Sequence, residues 1–147
     1  MIVDDNVTNR RILTDILWMW RMRPTGAASA QEAMSHMLQA SRRGDPFALV
    51  VTDLHMPEID GFGLAERIRQ SPHLAKAVIL MLTSGEQQED LVRCRTLGVS
   101  AYLTKPVRRA ELRVAITKAL NAQPRPNEIR ADQPDVCSPR VLQGTVL

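Results

Sequence analysis

Aromatic residues, cysteines and long apolar runs are all scarce in this chain. Of its 147 residues, 3% are aromatic and two are cysteines, Cys94 and Cys137. Two separate cysteines lack the spacing of a metal site and argue against a disulfide, so they favour a reducing compartment. No run approaches the roughly 18 apolar residues of a membrane span, and no basic segment leads into an apolar stretch at the N-terminus. The sequence therefore predicts a cytoplasmic chain, or a cytoplasmic portion of a larger protein, without membrane contact.

Concentrated positive charge is absent as well. The formal net charge is +3, and arginines occur in scattered pairs such as Arg10-Arg11 and Arg42-Arg43 rather than along one stripe. Scattered pairs without aromatic residues between them are typical of solvated helix faces. We therefore predict that this chain binds no nucleic acid.

Four short apolar runs each end in a polar residue. The runs cover residues 2–3, 48–52, 78–82 and 101–104, and they are followed by Asp4-Asp5, Asp53, Thr83 and Lys105. Runs of this length without polar alternation are typical of buried parallel strands. Because ligands bind outside the carboxyl ends of parallel strands, we expect these side chains to converge at one edge. Carboxylates, a hydroxyl and an ammonium group together indicate a site for a cation and a phosphate.

Segments with helical periodicity alternate with the apolar runs. The first covers residues 8–22, and a weaker strand is predicted at residues 24–28. A capping box of Ser29 and Glu32 opens the second helix, and Gly44 ends it. Later helices are expected after residue 60, over residues 87–97, and after residue 106. The side chains expected to face the core are Ile12, Leu13, Ile16, Leu17, Trp20, Ala33, Met34, Met37, Leu38, Leu64, Ala65, Ile68, Leu91, Cys94, Leu97, Leu112, Ala115, Ile116 and Ala119.

This alternation predicts one α/β domain over residues 1–121. We expect a doubly wound sheet of five parallel strands in the order 2-1-3-4-5, with helices on both faces. Residues 122–147 contain several prolines and no periodicity, and we interpret them as a linker or tail. Residues 141–147 fit either the first strand of a further domain or an apolar tail that docks on this one.

Three carboxylates would meet at the edge of that sheet. Asp4, Asp5 and Asp53 come together if the first and third strands are neighbours, and their mutual repulsion is relieved by a raised pKa or a bound cation. Oxygen ligands with room for water suit Mg²⁺. The alternative for Asp4 and Asp5 is a role as ordinary strand-end or helix-capping residues.

Asp53 is the predicted acceptor of a phosphoryl group, and Lys105 and Thr83 are predicted to bind the phosphoryl oxygens. A tight turn at Met56-Pro57, with Asp60-Gly61 beyond it, would leave the Asp53 carboxylate exposed. Lys105 would supply a fixed positive charge and Thr83 a hydroxyl donor to the phosphoryl oxygens. Taken alone, Lys105 could be a surface lysine and Thr83 a strand-end hydroxyl bonded to backbone.

Four motifs follow one another along the chain: Ile2-Val3-Asp4-Asp5-Asn6, residues 53–61, Leu82-Thr83-Ser84 and residues 98–106. In this order they resemble the receiver domain of two-component response regulators, which has the CheY-like, flavodoxin-like fold. The resemblance covers residues 1–121. It implies that Asp53 is the phosphoacceptor, that Asp5, Asp53 and the His55 backbone carbonyl bind Mg²⁺ with help from Asp4, and that Thr83 and Lys105 hold the phosphoryl oxygens.

The same resemblance assigns a switch and a peptide geometry. Tyr102 matches the aromatic residue that turns inward when Thr83 is drawn toward the phosphate, and otherwise it is a half-exposed strand aromatic. Without phosphate we expect Thr83 near the pocket but not bonded through it, and Tyr102 free to move outward. The Lys105-Pro106 bond is expected to be cis.

Two departures from the family pattern leave questions open. The first strand has three residues before the aspartates, so we expect that the N-terminus is cut. Ser84 and Gly85 replace the small apolar residue usual after Thr83, and His55 and Gly85 occupy positions that tune dephosphorylation, so the phosphoryl lifetime is left open.

The predicted function is acceptance of a phosphoryl group in a phosphorelay. The expected partner is a histidine kinase or a histidine phosphotransfer domain, and the parent chain resembles a hybrid sensor histidine kinase more than a regulator joined to a DNA-binding domain. Whether to call the chain an enzyme stays open, since a receiver catalyses its own phosphoryl transfer. The alternatives are an Mg²⁺-dependent aspartyl-phosphate phosphohydrolase and a scaffold that is not phosphorylated. Kinase, stimulus, output and oligomeric state are not predicted.

Overall fold

The computed structural model describes residues 1–85 and 88–122 and contains five strands alternating with five helices. None of the helices in these two ranges has the length and apolarity needed to cross a membrane. The elements are β1 (Ile2–Val3), α1 (Val7–Met19), β2 (Gly26–Ala27), α2 (Ala30–Arg42), β3 (Leu49–Asp53), α3 (Gly61–Gln70), β4 (Val78–Thr83), α4 (Gln88–Thr96), β5 (Ala101–Thr104) and α5 (Arg109–Ala122).

The strands form one parallel sheet in the order β2-β1-β3-β4-β5, as predicted. β3 and β4 are buried along their whole length, because helices cover both faces. Val50 of β3 packs with side chains of α2, α3 and α4, whereas Val51 packs with those of α1 and α5. The predicted α/β fold class is therefore confirmed, and the carboxyl ends of all five strands lie at one edge.

The helices begin and end at the residues whose chemistry favours those positions. The Ser29 hydroxyl accepts the Glu32 N–H at 3.1 Å, and the Glu32 carboxylate accepts the Ala28 N–H at 2.8 Å, one residue before the position of an ideal capping box. Gly44 and Gly98 have positive φ angles of 78° and 70° after α2 and α4. These ends match the predicted ones, because glycine adopts that conformation without steric penalty.

The first helix is shorter than predicted. It ends at Met19 instead of continuing to residue 22, because the chain turns at Trp20 and Arg21 takes a left-handed φ of 62°. Ile12 was expected in the core but is 52% exposed. The buried stripe is centred on Leu13, Ile16 and Leu17, and a one-residue step of 100° around the helix turns Ile12 away from that stripe.

The predictions for α4 hold in part. Its predicted first residue, Gln87, lies outside the described residues. Cys94 is buried as expected, but Leu91 and Leu97 are half-buried. This helix therefore buries less apolar side chain against the sheet than the sequence pattern predicts.

Arg69 ties the end of α3 to the turn that follows α4. Its guanidinium donates hydrogen bonds of 2.7 to 2.9 Å to four backbone carbonyls, those of Ala75, Ala77, Leu97 and Gly98. Burial lowers the pKa of Arg69 from its ordinary value. The carbonyl groups replace water around this cation, so Arg69 joins two segments that are distant in sequence.

Candidate functional site

The carboxyl ends of β1 and β3 bring three aspartates together. Val3 pairs with Thr52 across the sheet, so Asp4 follows β1 beside Asp53, the last residue of β3. Carboxylate oxygens of Asp4, Asp5 and Asp53 all lie within 4.8 Å of one another. Asp4 is 1% exposed and Asp53 7% exposed, whereas Asp5 is open to solvent. The structure thus assembles the acidic cluster that the sequence predicts.

Lys105 reaches this cluster from the loop after β5. Its ammonium group lies 2.8 Å from Asp53 Oδ1 and 3.5 Å from Asp4 Oδ2. The backbone N–H of Lys105 donates to the Thr83 carbonyl at 2.6 Å, and the Lys105-Pro106 bond is cis. Asp53 was expected to be exposed; instead the ammonium group covers its carboxylate, and the residue is buried.

The pKa values of Asp53 and Lys105 are both shifted upward, for different reasons. Burial raises the pKa of Asp53, the neighbouring Asp4 and Asp5 charges raise it further, and the ion pair with Lys105 offsets part of the rise. Burial acts to lower the pKa of Lys105, but its hydrogen bond to Asp53 and the charge of Asp4 outweigh that effect, and the net shift is upward. Lys105 therefore keeps its proton, and the acidic cluster favours additional positive charge.

Gly61 shapes the loop that carries Asp53. A Cβ atom at this position would lie 2.8 Å from the Asp53 carbonyl oxygen and 3.0 Å from Leu54 Cα. The Gly61 N–H donates to the Leu54 carbonyl at 2.8 Å, and the Asp60 side chain caps α3 by accepting the Gly63 N–H at 2.8 Å. Only glycine allows this approach without a backbone shift, so the loop fixes Asp53 directly.

Asp4 is held by two groups from the start of α1. Its Oδ1 atom accepts the Asn6 N–H at 2.9 Å, and its backbone carbonyl accepts a hydrogen bond of 2.7 Å from Arg10 Nη1. The Asn6 side chain in turn caps α1 by accepting the Asn9 N–H at 3.1 Å. Asp4 therefore has a fixed position, while the exposed Asp5 can adapt to a ligand.

Thr83 ends the strand next to Asp53, but its hydroxyl and that of Tyr102 both lie at the Gly85 carbonyl rather than at the acidic cluster. The buried Thr83 hydroxyl donates to the Gly85 carbonyl at 2.8 Å. The hydroxyl of the half-buried Tyr102 lies 3.2 Å from that same carbonyl and 3.2 Å from Asp90 Oδ2. Thr83 is thus near the pocket without a bond through it, as expected. Tyr102, expected to be free, is held by hydrogen bonds.

The donor set fits a hard divalent cation. Asp4, Asp5 and Asp53 offer three carboxylate oxygens within a span that one ion can bridge, and the charges of Asp4 and Asp5 add to the effect of burial in raising the pKa of Asp53. Mg²⁺ prefers such oxygen ligands and keeps several waters, which the open side at Asp5 allows. His55 lies in the adjoining loop with its side chain exposed.

Three residues with evident structural roles carry no sequence motif: Arg10 and Asp90 near the site, and Arg69 at the end of α3. Arg10, Arg69 and Asp90 were not predicted, because Arg10 and Arg69 bond backbone carbonyls and Asp90 meets a tyrosine from another element. The Arg10-Arg11 pair was interpreted as a solvated helix face. The one feature of the sequence that could have indicated this role for Arg10 is its place six residues after Asp4, in the first turn of the following helix.

Comparisons with known proteins agree with this geometry. Residues 1–117 match the model of the response regulator receiver domain. The chain is 34% identical over 120 residues to chemotaxis protein CheY-3 of Vibrio cholerae, which covers 80% of the chain and 88% of that protein. It is 30% identical over 121 residues to hybrid signal transduction histidine kinase L of Dictyostelium discoideum, covering 80% of the chain but 7% of the kinase.

Solved structures show the same fold. The chemotaxis protein CheY4 of Vibrio cholerae superposes with a TM-score of 0.74 at 24% identity, covering 80% of this chain and 94% of that one. Receiver domains act in two-component phosphorelays, interact with histidine kinases or phosphotransfer proteins, and generally bind Mg²⁺ at an acidic pocket. On the family match and these relatives, the chain belongs to the response regulator receiver domain family.

Proposed function

We propose that Asp53 accepts a phosphoryl group from a phosphohistidine on a histidine kinase or a histidine phosphotransfer domain. The observation that supports this most strongly is the position of Asp53, buried at the end of β3 with the Lys105 ammonium 2.8 Å from its carboxylate. A nucleophilic carboxylate needs its attacking oxygen held in place and positive charge nearby for the incoming oxygens. Both conditions are met here.

The step is a transfer from nitrogen to oxygen. An Asp53 carboxylate oxygen forms a bond to phosphorus, the phosphorus–nitrogen bond of the donor breaks, and the imidazole nitrogen keeps the electron pair. Lys105 stays within reach of the phosphoryl oxygens because Asp4 offers it a second carboxylate at 3.5 Å. The Thr83 hydroxyl would then leave the Gly85 carbonyl and donate to a phosphoryl oxygen.

Mg²⁺ is the proposed cofactor. Asp5, Asp53 and the His55 backbone carbonyl would hold it, with Asp4 contributing, and the bound ion would neutralise negative charge on the donor. Asp4 is fixed by Asn6 and Arg10, so it supplies a constant negative charge behind the site.

The two alternative functions gain no support. A phosphohydrolase of this kind needs a general acid near the nucleophile, commonly an aspartate two residues on, and His55 stands at that position. A scaffold that is not phosphorylated would not require a buried acid paired with a half-buried lysine. That this domain is part of a hybrid histidine kinase stays a prediction, since the relatives include both a hybrid kinase and separate chemotaxis proteins.

The test is phosphorylation by acetyl phosphate in the presence of Mg²⁺, followed by intact mass. We expect the native chain to gain one phosphoryl group, Asp53→Asn to gain none, and the exposed control Asp15→Asn to behave like the native chain. Lys105→Ala should slow the gain but leave Mg²⁺ binding largely intact, because Lys105 contacts phosphate and not the ion. Equal phosphorylation of Asp53→Asn and native chain would refute the assignment.

A further inference from the structure

Thr83 at the end of β4, Gly85 in the next loop, Asp90 in α4 and Tyr102 in β5 form one group of neighbouring polar atoms. The Thr83 hydroxyl donates to the Gly85 carbonyl at 2.8 Å, and the Gly85 N–H donates back to Thr83 Oγ1 at 3.3 Å. The Tyr102 hydroxyl lies 3.2 Å from the Gly85 carbonyl and 3.2 Å from Asp90 Oδ2. The network therefore joins a strand end, a loop, a helix and the neighbouring strand.

The number of hydroxyl protons shows that this network can form only in the protein without a phosphoryl group. The Thr83 hydroxyl has one proton, and it is donated to the Gly85 carbonyl. To donate to a phosphoryl oxygen on Asp53, Thr83 must give up that bond. Phosphorylation and the network thus compete for one proton, so any residue that stabilises the network opposes switching.

Asp90 is placed to be such a residue. The Tyr102 hydroxyl also has a single proton. Because a carboxylate is a stronger acceptor than a carbonyl, that proton goes to Asp90, which keeps Tyr102 beside the Gly85 carbonyl that Thr83 holds. Among the described residues of α4, one residue, Cys94, is buried, so the packing of this helix is weak. Arg93, on the next turn, lies over the Phe62 ring at 4.3 Å rather than pairing with Tyr102.

We propose that Asp90 is a positioning residue that holds Tyr102 in its resting place and thereby sets how readily phosphorylation of Asp53 switches the domain. This inference rests on the proposed function and deepens it. Asp90 acts through Tyr102 and touches neither the phosphoryl group nor the acidic cluster. Removing its carboxylate should weaken the resting state alone, which raises the share of molecules that are ready to bind a phosphoryl group.

The test measures the binding of beryllium fluoride, an analogue of the phosphoryl group, in the presence of Mg²⁺ by calorimetry. We expect Asp90→Ala to lower the apparent Kd by about three- to tenfold, the range set by the net contribution of one long, partly exposed hydrogen bond. Asp90→Asn keeps an acceptor oxygen and should give a smaller decrease. Glu89→Ala removes the same charge from the same helix turn, at an exposed site, and should leave the Kd unchanged.

A second readout follows the ring itself. The chain has one tyrosine, so fluorotyrosine gives a single ¹⁹F resonance from position 102. In the phosphate-free protein, Asp90→Ala should move this resonance toward its position in the native protein with beryllium fluoride bound. In a Tyr102→Phe background, Asp90→Ala should no longer change the Kd, because the bond it removes is already absent.

The outcomes separate this inference from the proposed function. If the native protein binds beryllium fluoride and Asp90→Ala binds it with the same Kd, the inference is overturned and the proposed function stands. An equal effect of Glu89→Ala, or an effect that persists with Tyr102→Phe, would assign the change to helix charge and also overturn the inference. If the native protein fails to bind the analogue, both the proposed function and the inference fall.

Discussion

α3 and α4 follow neighbouring strands and lie on the same face of the sheet, yet they are anchored very differently. α3 has ten residues, of which five are buried, and it begins at a side-chain cap and a close glycine contact. α4 has nine residues, of which Cys94 alone is buried. The strand before α3 ends in Asp53, whereas the strand before α4 ends in Thr83.

On the proposed function, this difference would let one domain hold the reactive Asp53 still and move α4 in response to its phosphorylation. The loop into α3 positions Asp53, the proposed acceptor, so movement of this loop would displace the carboxylate from Lys105. α4 is held near its start mainly by the hydrogen bonds around Gly85 and at its end by Arg69. Segments with little buried apolar surface are the ones that open or shift at low energy.

The largest contrast is expected from truncating one buried side chain in each helix. Ile68→Ala should lower the free energy of unfolding by about 2–5 kcal/mol, because Ile68 is fully buried in the core under α3. Cys94→Ala should lower it by about 1 kcal/mol, because the side chain is smaller and fewer groups pack on it. Urea unfolding measures both. A loss from Cys94→Ala as large as that from Ile68→Ala would contradict the difference in anchoring.

Loss of the Arg69 contacts should have the next largest effect. Arg69→Met leaves four carbonyls without their donor, and we expect a loss of about 2–4 kcal/mol in the free energy of unfolding. The control, Arg67→Met on the exposed side of α3, should stay within about 0.5 kcal/mol of the native protein. Equal stability of the two variants would show that the carbonyl contacts contribute nothing.

Gly61, the first residue of α3, and Gly85, three residues before α4, provide a matched pair. A Cβ at Gly61 would overlap the backbone of Asp53, whereas a Cβ at Gly85 meets nothing within 4 Å. We expect Gly61→Ala to lower the free energy of unfolding by about 1–3 kcal/mol and to slow phosphorylation by acetyl phosphate. Gly85→Ala should change stability by less than about 0.5 kcal/mol. Tolerance of Gly61→Ala in both assays would break the claim that the loop fixes Asp53.

Binding of Mg²⁺ at the acidic cluster should raise the free energy of unfolding by a small amount that depends on pH. At about ten times its Kd, the ion adds about 1.4 kcal/mol to the free energy of unfolding. Protons compete with the ion for Asp53, and the pKa of Asp53 is raised by burial and by its acidic neighbours. The stabilisation is therefore complete where Asp53 is ionised and is lost as the pH falls through that raised pKa. Thermal unfolding with and without Mg²⁺ from pH 8 to pH 4 measures it, and a pH-independent shift would contradict the ligand set.

The sequence predicts features that depend on residues near one another in the chain, and it misses those that depend on contacts between distant elements. The sheet order and the convergence of Asp4, Asp53 and Lys105 follow from local patterns, because buried strands and their polar ends are contiguous in the chain. The exposure of Ile12 was missed, since periodicity does not show how far a helix is rotated against its sheet. The roles of Arg69 and Asp90 were missed as well, because their partners lie on other elements.

Hydrogen exchange of the two helices, before and after phosphorylation by acetyl phosphate with Mg²⁺, tests the central claim most directly. The claim is that Asp53 receives the phosphoryl group on a fixed support and that α4 carries the response. We expect the amides of α3 (Gly61–Gln70) to keep their protection, while those of α4 (Gln88–Thr96) change, and Asp53→Asn to abolish the change. Equal changes in both helices, or a change in α4 that persists in Asp53→Asn, would contradict the account.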